Sequence, residues 1–460
     1  MATATKYHTA SAPHVLVVPC LAQGHMLALL DLTSLLASRG LRLTVIATPA
    51  TAPQLAPLLA AHPAPAVRAL TLPFPSHHAL PDGIESAKHL PPALFPALIV
   101  AFAGPRGPLC SWVSERSDGP DRVVAVLSDF FCGWMQPLAA ELGIPRVVFS
   151  PCAVYGPAVL QSVFRQMPRR EDENDDESPI TFPDLPGAPA YPWRQMSVLY
   201  RTFKERDDVS EGLRRNYLWN LESSGFVLNT FWHLEERFLE APLADLGFRR
   251  ARAVGPLAPI ADAAGNRGGE TAMAAADLCA WLDKFEDGSV VYVGFGSMAV
   301  LQPPHAAAIA AALERTRVAF VWAAGPVAPL PGGFEEGTAA GDRGVVIRGW
   351  APQATAAGVA LLAWPMTADQ FVNARLLVDE LRAAVPVSWG GLTAAPGADE
   401  VTRVLDEAVS GRRWGDVAVR AKELADEAAA AVTEGGDSWR ELEELARELR
   451  ELGDEPRKQQ

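Results

Sequence analysis

The sequence is short of positive charge. Its 460 residues include 40 Lys and Arg against 54 Asp and Glu, which gives a formal net charge of −14. Nucleic acids and anionic membranes attract basic surfaces, so this deficit argues against both as partners. Part of the acidic excess is local, because residues 171–177 read EDENDDE, a run typical of a solvated loop.

Cysteine is scarce, and its spacing indicates no disulfide framework. The five cysteines are odd in number and form no Cys-x-x-Cys pair. This pattern predicts buried, reduced thiols in a cytoplasmic protein. The five residues are Cys20, Cys110, Cys132, Cys152 and Cys279.

Long apolar runs are also missing. The most apolar later stretch, Leu94–Ala103, is shorter than the ~20 residues that a membrane helix needs. At the start of the chain, residues 1–12 are small and polar. The apolar run His14–Leu21 is not preceded by the basic segment that a signal peptide has. We therefore expect no membrane span and a cytoplasmic location, and we expect the protein to be a monomer.

Several catalytic signatures are absent from the chain. A nicotinamide dehydrogenase needs Gly-x-Gly-x-x-Gly after its first strand, whereas residues 19–25 contain a single glycine, Gly24. A serine hydrolase needs a Gly-x-Ser-x-Gly turn, and the chain has none. No His, Asp and Glu residues are grouped at metal-binding spacing, so we expect no metal.

The length and the apolar content predict a two-domain globular protein. Hydrophobic residues make up 49% of the chain, which suits large buried sheets, and 460 residues are too many for one compact core. A stretch dominated by Ala, Gly and polar residues at 258–276 is the predicted linker. This gives an N-terminal domain at 1–257, a C-terminal domain at 277–437, and a last helix at 438–460 that crosses back to the first domain.

Strands and helices alternate in both predicted domains. His14–Pro19 is a continuous apolar run suited to a buried strand, Met26–Ser38 has an amphipathic helical pattern, and Leu41–Thr48 is the next strand. The second half repeats this order with a strand at Ser289–Val293 and a helix at Pro303–Arg315. Repeated βα units predict an α/β fold of doubly wound parallel sheets, with ligands at the carboxyl ends of the strands.

Two residues near such strand ends are candidates for proton transfer. His25 lies just after the first strand, and an imidazole can take a proton from a hydroxyl near neutral pH. Asp129 follows the apolar run Val123–Leu127, and a carboxylate hydrogen-bonded to a histidine fixes its tautomer. The alternatives are a partly exposed histidine at a helix start and an aspartate that caps a helix.

Short motifs in both halves give the chain a family resemblance. Residues 350–370 read WAPQATAAGVALLAWPMTADQ, which opens as Trp-x-Pro-Gln and closes as Trp-Pro-x-x-x-Asp-Gln. The first half contains Gln-Gly-His-Met at 23–26 and Leu-Leu-Asp-Leu at 29–32, and the second contains Phe-Gly-Ser at 295–297. Together these motifs resemble plant secondary-product UDP-glycosyltransferases, the inverting family 1 enzymes.

The resemblance implies a fold and a reaction. The fold would be the GT-B type, with two facing Rossmann-like domains. His25 would deprotonate a hydroxyl of a small hydrophobic acceptor, such as a flavonoid or another phenolic, with Asp129 as its partner. The acceptor oxygen would then displace UDP from a UDP-sugar with inversion, glucose being the expected sugar. UDP-sugar would be a co-substrate, and neither cofactor nor metal would be needed.

The resemblance also assigns a donor site. Trp350 would stack on the uracil ring, Ala351 would hydrogen-bond to its edge through the backbone, and Gln353 would lie near the nucleoside. Asp369 and Gln370 would bind sugar hydroxyls, as a carboxylate and an amide can. The remaining donor residue is Ser297, which would approach the diphosphate.

The signature stretch at 350–370 is internally short. The corresponding stretch of the family is roughly twice as long, and its middle contains a His-Cys-Gly-Trp-Asn-Ser run and a later Glu. Here Ala354–Ala360 offers only Thr355 as a polar side chain. We therefore expect the second domain to lack about one βα unit. The alternative function is a catalytically impaired or inactive relative with a truncated donor site, acting at most as a small-molecule binding protein.

Overall fold

The chain divides into two compact units. The computed structural model describes residues 12–88, 90–240, 250–257, 273–296, 299–325, 328–348, 359–367, 369–411 and 413–454. Unit 1 comprises Met1–Tyr191, Leu199–Ala263 and Ala430–Gln460, and unit 2 comprises Pro192–Val198 and Ala264–Ala429. Most of the predicted linker lies outside the described residues, so the domain boundaries drawn from the sequence stay predictions.

Unit 1 is built on a parallel sheet of seven strands. Its order is β3-β2-β1-β4-β5-β8-β9, and every neighbouring pair is parallel. The expected α/β class with a doubly wound sheet is confirmed. The strands are β1 (His14–Val18), β2 (Arg42–Ala47), β3 (Val67–Thr71), β4 (Val123–Asp129), β5 (Arg146–Ser150), β8 (Gly225–Leu228) and β9 (Ala251–Ala253), and β6 (Pro179–Thr181) pairs with β7 (Ala190–Pro192) in a small separate sheet.

The central strands are buried on both faces, and their sequences are mostly apolar, HVLVV in β1 and VVAVLSD in β4. Every residue of β1 and β4 is buried, as a parallel strand covered by helices on both faces requires. The connecting segments are helical. The helices are α1 (Gln23–Ser38), α2 (Ala56–Ala61), α3 (Phe95–Ala101), α4 (Arg106–Ser114), α5 (Met135–Glu141), α6 (Tyr155–Gln166), α7 (Val198–Arg201), α8 (Asp208–Asn220) and α9 (Trp232–Glu240).

The strands of unit 2 form two separate parallel sheets. The first has the order β10-β11-β12, and the second pairs β13 with β14. The strands are β10 (Val290–Gly294), β11 (Ala319–Ala323), β12 (Gly344–Ile347), β13 (Leu361–Ala363) and β14 (Ala384–Pro386). The helices are α10 (Ala275–Leu282), α11 (Pro303–Thr316), α12 (Phe334–Ala339), α13 (Gln370–Arg375), α14 (Ala398–Val409) and α15 (Gly415–Val432), with a π-helical turn at Leu376–Glu380 after α13.

The last helix, α16 (Asp437–Asp454), packs on the sheet of unit 1. Its apolar residues recur at helical spacing, and Leu442, Leu445 and Leu449 are buried in the same core as Val15 of β1. Beside them, the buried Arg252 of β9 donates through Nη1 to Glu441 at 2.9 Å. The helix therefore covers one face of unit 1 and brings a partner for a buried cation.

Residues 92–114 are long and apolar enough, by composition alone, to cross a membrane. The structure divides them into α3 and α4, with 44% of the apolar window buried inside the protein. Each helix is much shorter than the ~20 residues that a membrane span needs.

The cysteines differ in exposure, and the expectation that they are all buried was wrong. Cys20 and Cys132 are buried, Cys110 and Cys152 are half-buried, and Cys279 is exposed. The spacing of cysteines along a chain carries no information about which face of a helix each one occupies, and Cys279 lies on α10.

The packing of α16 gives a direct stability prediction. Leu445→Ala should lower the free energy of unfolding of unit 1 by about 2–5 kcal/mol, because it removes buried methyl groups and leaves a cavity. Glu451→Ala, on the exposed side of the same helix, is the control and should leave the urea midpoint unchanged. Equal midpoints for the two variants would show that α16 does not contribute to the core.

Candidate functional site

His25 and Asp129 lie where the strand order of unit 1 reverses. The second and third strands lie on one side of β1, and β4 lies on the other, so the β1–β4 boundary is the topological switch point. His25 is in the first turn of α1, directly after β1, and Asp129 is the last residue of β4. Ligands of open α/β sheets bind in the crevice at this point.

The two side chains are hydrogen-bonded to each other. His25 Nδ1 lies 2.9 Å from Asp129 Oδ2, and the histidine side chain is 19% exposed while the aspartate is fully buried. A carboxylate accepts this bond, so Nδ1 carries the proton and the lone pair of the neutral imidazole is on Nε2. The sequence predicted both residues, and the structure brings them together from positions 104 residues apart.

Asp129 also caps a helical turn. Its other oxygen, Oδ1, accepts from the backbone N–H of Phe131 at 2.8 Å, at the start of the turn Phe130–Cys132. The capping alternative from the sequence is therefore correct as well. Because the cap fixes one oxygen of the carboxylate, the second oxygen is held in place for the histidine.

Aromatic rings surround the histidine. The centroid of the His25 ring lies 5.3 Å from that of Phe130 and 5.0 Å from that of Phe131, and Phe95 meets Phe131 edge to face at 5.3 Å. Rings at these distances form an apolar wall suited to a flat hydrophobic ligand. Sequence reasoning missed this wall, although the Phe-Phe pair directly after Asp129 was a visible signal.

The thiol of Cys20 lies beside the pair. Cys20, His25 and Asp129 each place a possible metal-ligating atom within 4.8 Å of the other two, a group that sequence reasoning missed. Burial, and the nearby Asp129 carboxylate, hold the pKa of the Cys20 thiol well above its usual range. The thiol therefore stays protonated, and Asp129 remains engaged with His25.

A buried cation lies in the neighbouring strand. Arg146 of β5 donates to Ser128 Oγ at 2.7 Å and to Asn220 Oδ1 at 2.8 Å. Burial lowers the pKa of this guanidinium to about 10, and the nearby Asp129 carboxylate opposes that shift. The guanidinium thus remains charged at neutral pH and gives the buried Asp129 an electrostatic partner.

The predicted sugar pair lies at the start of α13 in unit 2. Gln370 Oε1 accepts from the backbone N–H groups of Met366 at 2.8 Å and Thr367 at 3.3 Å. Asp369 is the N-cap residue of α13, but its side chain accepts from Asn373 Nδ2 at 2.9 Å and makes no cap bond to the helix. The pair is held by local bonds that fix the loop between β13 and α13.

The remaining donor candidates are not placed by the structure. Ser297, Trp350, Ala351 and Gln353 lie outside the described residues. Their roles stay predictions, as does the absence of a metal requirement.

Comparisons with known proteins assign the family. A glycosyltransferase N-terminal domain family matches residues 12–147. The chain is 40% identical to UDP-glycosyltransferase 89B2 of Stevia rebaudiana, over 95% of this chain and 97% of that protein. It is 38% identical to flavonol 3-O-glucosyltransferase UGT89B1 of Arabidopsis thaliana, over 96% of this chain and 97% of that protein.

Solved structures agree with these relatives. UGT89C1 of Arabidopsis thaliana complexed with UDP-L-rhamnose has a TM-score of 0.77 at 33% identity, covering 95% of this chain and 99% of that one. The same protein complexed with quercetin has a TM-score of 0.75 at 32% identity, with the same coverage.

The alignment with the Stevia relative extends over 468 positions, more than the 460 residues of this chain, so that relative carries residues without a counterpart here. The match nevertheless spans both units, and the resemblance drawn from the motifs is confirmed. The chain belongs to the plant UDP-glycosyltransferase family.

Proposed function

We propose that the protein transfers a sugar, with glucose as the expected one, from a UDP-sugar to a hydroxyl of a small lipophilic acceptor such as a flavonoid. The observation that carries the proposal is the His25–Asp129 hydrogen bond at the switch point of unit 1. The names of the relatives support the chemistry, because one is a flavonol glucosyltransferase and a structural neighbour binds UDP-L-rhamnose and quercetin.

In this proposal His25 acts as the base, and Asp129 stabilises the protonated base. His25 Nε2 takes the proton of the acceptor hydroxyl as the oxygen attacks the anomeric carbon, and the bond from that carbon to UDP breaks. The buried Asp129 stabilises the imidazolium that forms, since its carboxylate accepts from Nδ1 in both states. Attack from the face opposite the departing UDP inverts the configuration at the anomeric carbon.

The acceptor would lie against the aromatic wall. Phe130 and Phe131 flank His25, and their packing with Phe95 supports an apolar, flat acceptor rather than a charged one. Segments after Pro151 and around Phe74–His89 are also apolar and aromatic, which suits a phenolic substrate.

The donor would be held by unit 2. We propose that Asp369 and Gln370 bind the sugar hydroxyls, that Trp350, Ala351 and Gln353 bind the uridine, and that Ser297 approaches the diphosphate. With Oε1 of Gln370 fixed on the backbone of Met366 and Thr367, its amide nitrogen is the group that would donate to the sugar. The reaction needs no cofactor or metal in this scheme, and the protein works as a cytoplasmic monomer.

The proposed base is tested by its removal. His25→Ala should lower the transfer rate by ~10²–10⁴, because a positioned base is lost. His233→Ala, an exposed histidine on α9, is the matched control and should transfer at the parental rate. The readout is glucosyl transfer to quercetin, measured in this chain or in a version with the signature stretch restored. Parental turnover in His25→Ala would reject the base assignment.

Asp129→Asn tests the partner separately. An asparagine can keep the cap on Phe131 through its oxygen, but its amide then donates towards His25 Nδ1. The imidazole would have to carry its proton on Nε2, where it cannot act as a base. We expect turnover to fall by ~10²–10⁴ with little change in acceptor binding. Unchanged turnover, with circular dichroism showing an intact fold, would contradict the role.

Calorimetric titration tests the donor site. The diphosphate of UDP is negatively charged and needs hydrogen-bond donors. Each charge-assisted hydrogen bond contributes ~1.5–3 kcal/mol, so the loss of two or three of them weakens UDP binding by orders of magnitude. We expect this chain to bind UDP far more weakly than the Stevia relative and to turn over slowly. Micromolar affinity would show that other groups replace those donors. Very weak UDP binding without any turnover would favour the impaired relative as the function.

A further inference from the structure

The short helical turn Phe130–Cys132 carries several parts of the proposed site. Asp129, the partner of His25, comes directly before the turn, and two rings of the aromatic wall, Phe130 and Phe131, belong to it. A single turn of this kind has few hydrogen bonds of its own, and their geometry is poor. The directions of the carboxylate and of both rings therefore depend on the groups that hold the backbone of the turn.

One of these groups is the guanidinium of Arg146, in β5. Its Nη2 donates to the backbone carbonyl of Cys132 at 3.2 Å, and its Nε donates to Ser128 Oγ at 2.7 Å. Ser128 and Cys132 stand before and after Asp129 in the chain. A guanidinium presents its N–H donors in a fixed planar fork, so it fixes the separation of the groups that accept from it. Arg146 therefore ties the end of β4 to the end of the turn.

The second group is the amide of Asn220, the last residue of α8. Its Nδ2 donates to the backbone carbonyl of Phe130 at 2.8 Å, and its Oδ1 accepts from Arg146 Nη2 at 2.8 Å. The two side chains are thus joined to each other, and each of them also binds one backbone carbonyl of the turn. We call Arg146 and Asn220 the clamp.

The clamp is buried. Arg146 is 1% exposed, and Asn220 is fully buried, as is the hydroxyl-bearing Ser128. The low dielectric constant of such an environment strengthens a hydrogen bond, and no water replaces the donor of a carbonyl that loses it. The turn therefore cannot leave the clamp without a large loss of stability.

The contacts of Arg146 are unusual for a buried charge. In the part of the chain that the structure describes, it donates only to neutral acceptors, and no carboxylate forms an ion pair with it. The carboxylate whose charge acts on it is that of Asp129. A buried guanidinium without an ion pair is costly, so an apolar side chain would stabilise the sheet better. The presence of an arginine here therefore indicates a role in placing the turn and its carboxylate.

Helix α8 packs so closely on the turn that the clamp has a fixed base. A Cβ atom on Gly133 would lie 1.9 Å from the backbone oxygen of Asn216, so only glycine fits at this position. The next residue, Trp134, donates its backbone N–H to Asn216 Oδ1 at 2.8 Å. Since Asn220 lies one helical turn further along α8, its distance from the turn is fixed as well.

We propose that Arg146 and Asn220 are positioning residues for sugar transfer. They hold the turn Phe130–Cys132 so that the carboxylate of Asp129 faces His25 and the rings of the wall face the acceptor. The catalytic consequence rests on the proposed function, which this inference deepens by adding two residues that act through the backbone of the turn. The holding of the turn is itself a property of the fold and does not depend on transfer.

Arg146→Met tests the clamp with an apolar side chain of similar length. We expect transfer to quercetin to fall by about ten- to a hundredfold, because a small displacement of the base and the acceptor is enough for such a loss. Quercetin affinity, measured by calorimetry, should weaken several-fold, whereas UDP affinity, which we assign to unit 2, should not change. General loss of folded protein would lower the apparent number of sites for both ligands alike.

Arg42→Met is the matched control. Arg42 is also a buried arginine of the same sheet, and it donates to the backbone carbonyl of Ala12 at 2.6 Å and to Asp121 Oδ1 at 2.7 Å. It lies at the start of β2, and carboxyl strand ends are where the ligand crevice forms. Arg42→Met should lower the urea midpoint, since it removes buried hydrogen bonds, but should transfer and bind quercetin like the parent. Equal transfer by folded Arg146→Met and Arg42→Met overturns the proposal.

Two smaller changes keep the test open if Arg146→Met does not fold. Arg146→Lys keeps the positive charge but lacks the fork that reaches Ser128 and Cys132 together. Asn220→Asp keeps an acceptor for Arg146 but loses the donor to the carbonyl of Phe130. We expect each variant to lose about tenfold or more in transfer. Parental transfer by either variant overturns the proposal.

Hydrogen exchange separates this proposal from the proposed function. The backbone N–H of Phe131, which donates to Asp129 Oδ1, should exchange about tenfold faster in the Arg146 and Asn220 variants than in the parent and Arg42→Met. Faster exchange, with a parent that transfers no sugar, upholds the clamp and counts against the proposed function. Unchanged exchange at Phe131 overturns the clamp, and transfer by the parent then upholds the proposed function alone.

Discussion

The hydrogen bond between His25 and Asp129 is the interaction on which the proposed chemistry depends. It exists because β1 and β4 are neighbours in a parallel sheet, although their residues are far apart in sequence. Burial of the carboxylate, its cap on Phe131 and the nearby Arg146 hold one oxygen ready for the imidazole. Helices on both faces of the sheet, α16 among them, keep the two strands in register.

The two units differ in how their parallel strands are arranged into sheets. Unit 1 has an uninterrupted sheet, and its switch point holds the hydrogen-bonded pair of His25 and the buried Asp129. Unit 2, where we propose that the nucleotide diphosphate binds, has its described strands in two separate sheets. An overall charge of −14 provides no general attraction for that anion. The acceptor half of the reaction is thus better supported by the geometry than the donor half.

Local assignments could be predicted from the sequence to a large extent. The apolar runs that became β1, β2 and β4, and the helices α1, α11 and α16, were visible because burial imposes an apolar run or a helical period on the chain. The short strands β3 and β9 were not found, since a few residues leave no clear period. The role of Gln370 in ligand binding stays a prediction, and the contact of its oxygen with the backbone of Met366 and Thr367 is one that no spacing reveals.

The sequence by itself determined the fold class and the family and singled out His25 and Asp129 as candidates, because strand order along the chain and a few fixed motifs are local properties. Only the tertiary structure decided that Asp129 both caps a turn and holds His25, that Phe130 and Phe131 wall the site, and that the described strands of unit 2 form two separate sheets. Strand pairing and burial join residues that are distant in sequence, so they follow from how the whole chain packs.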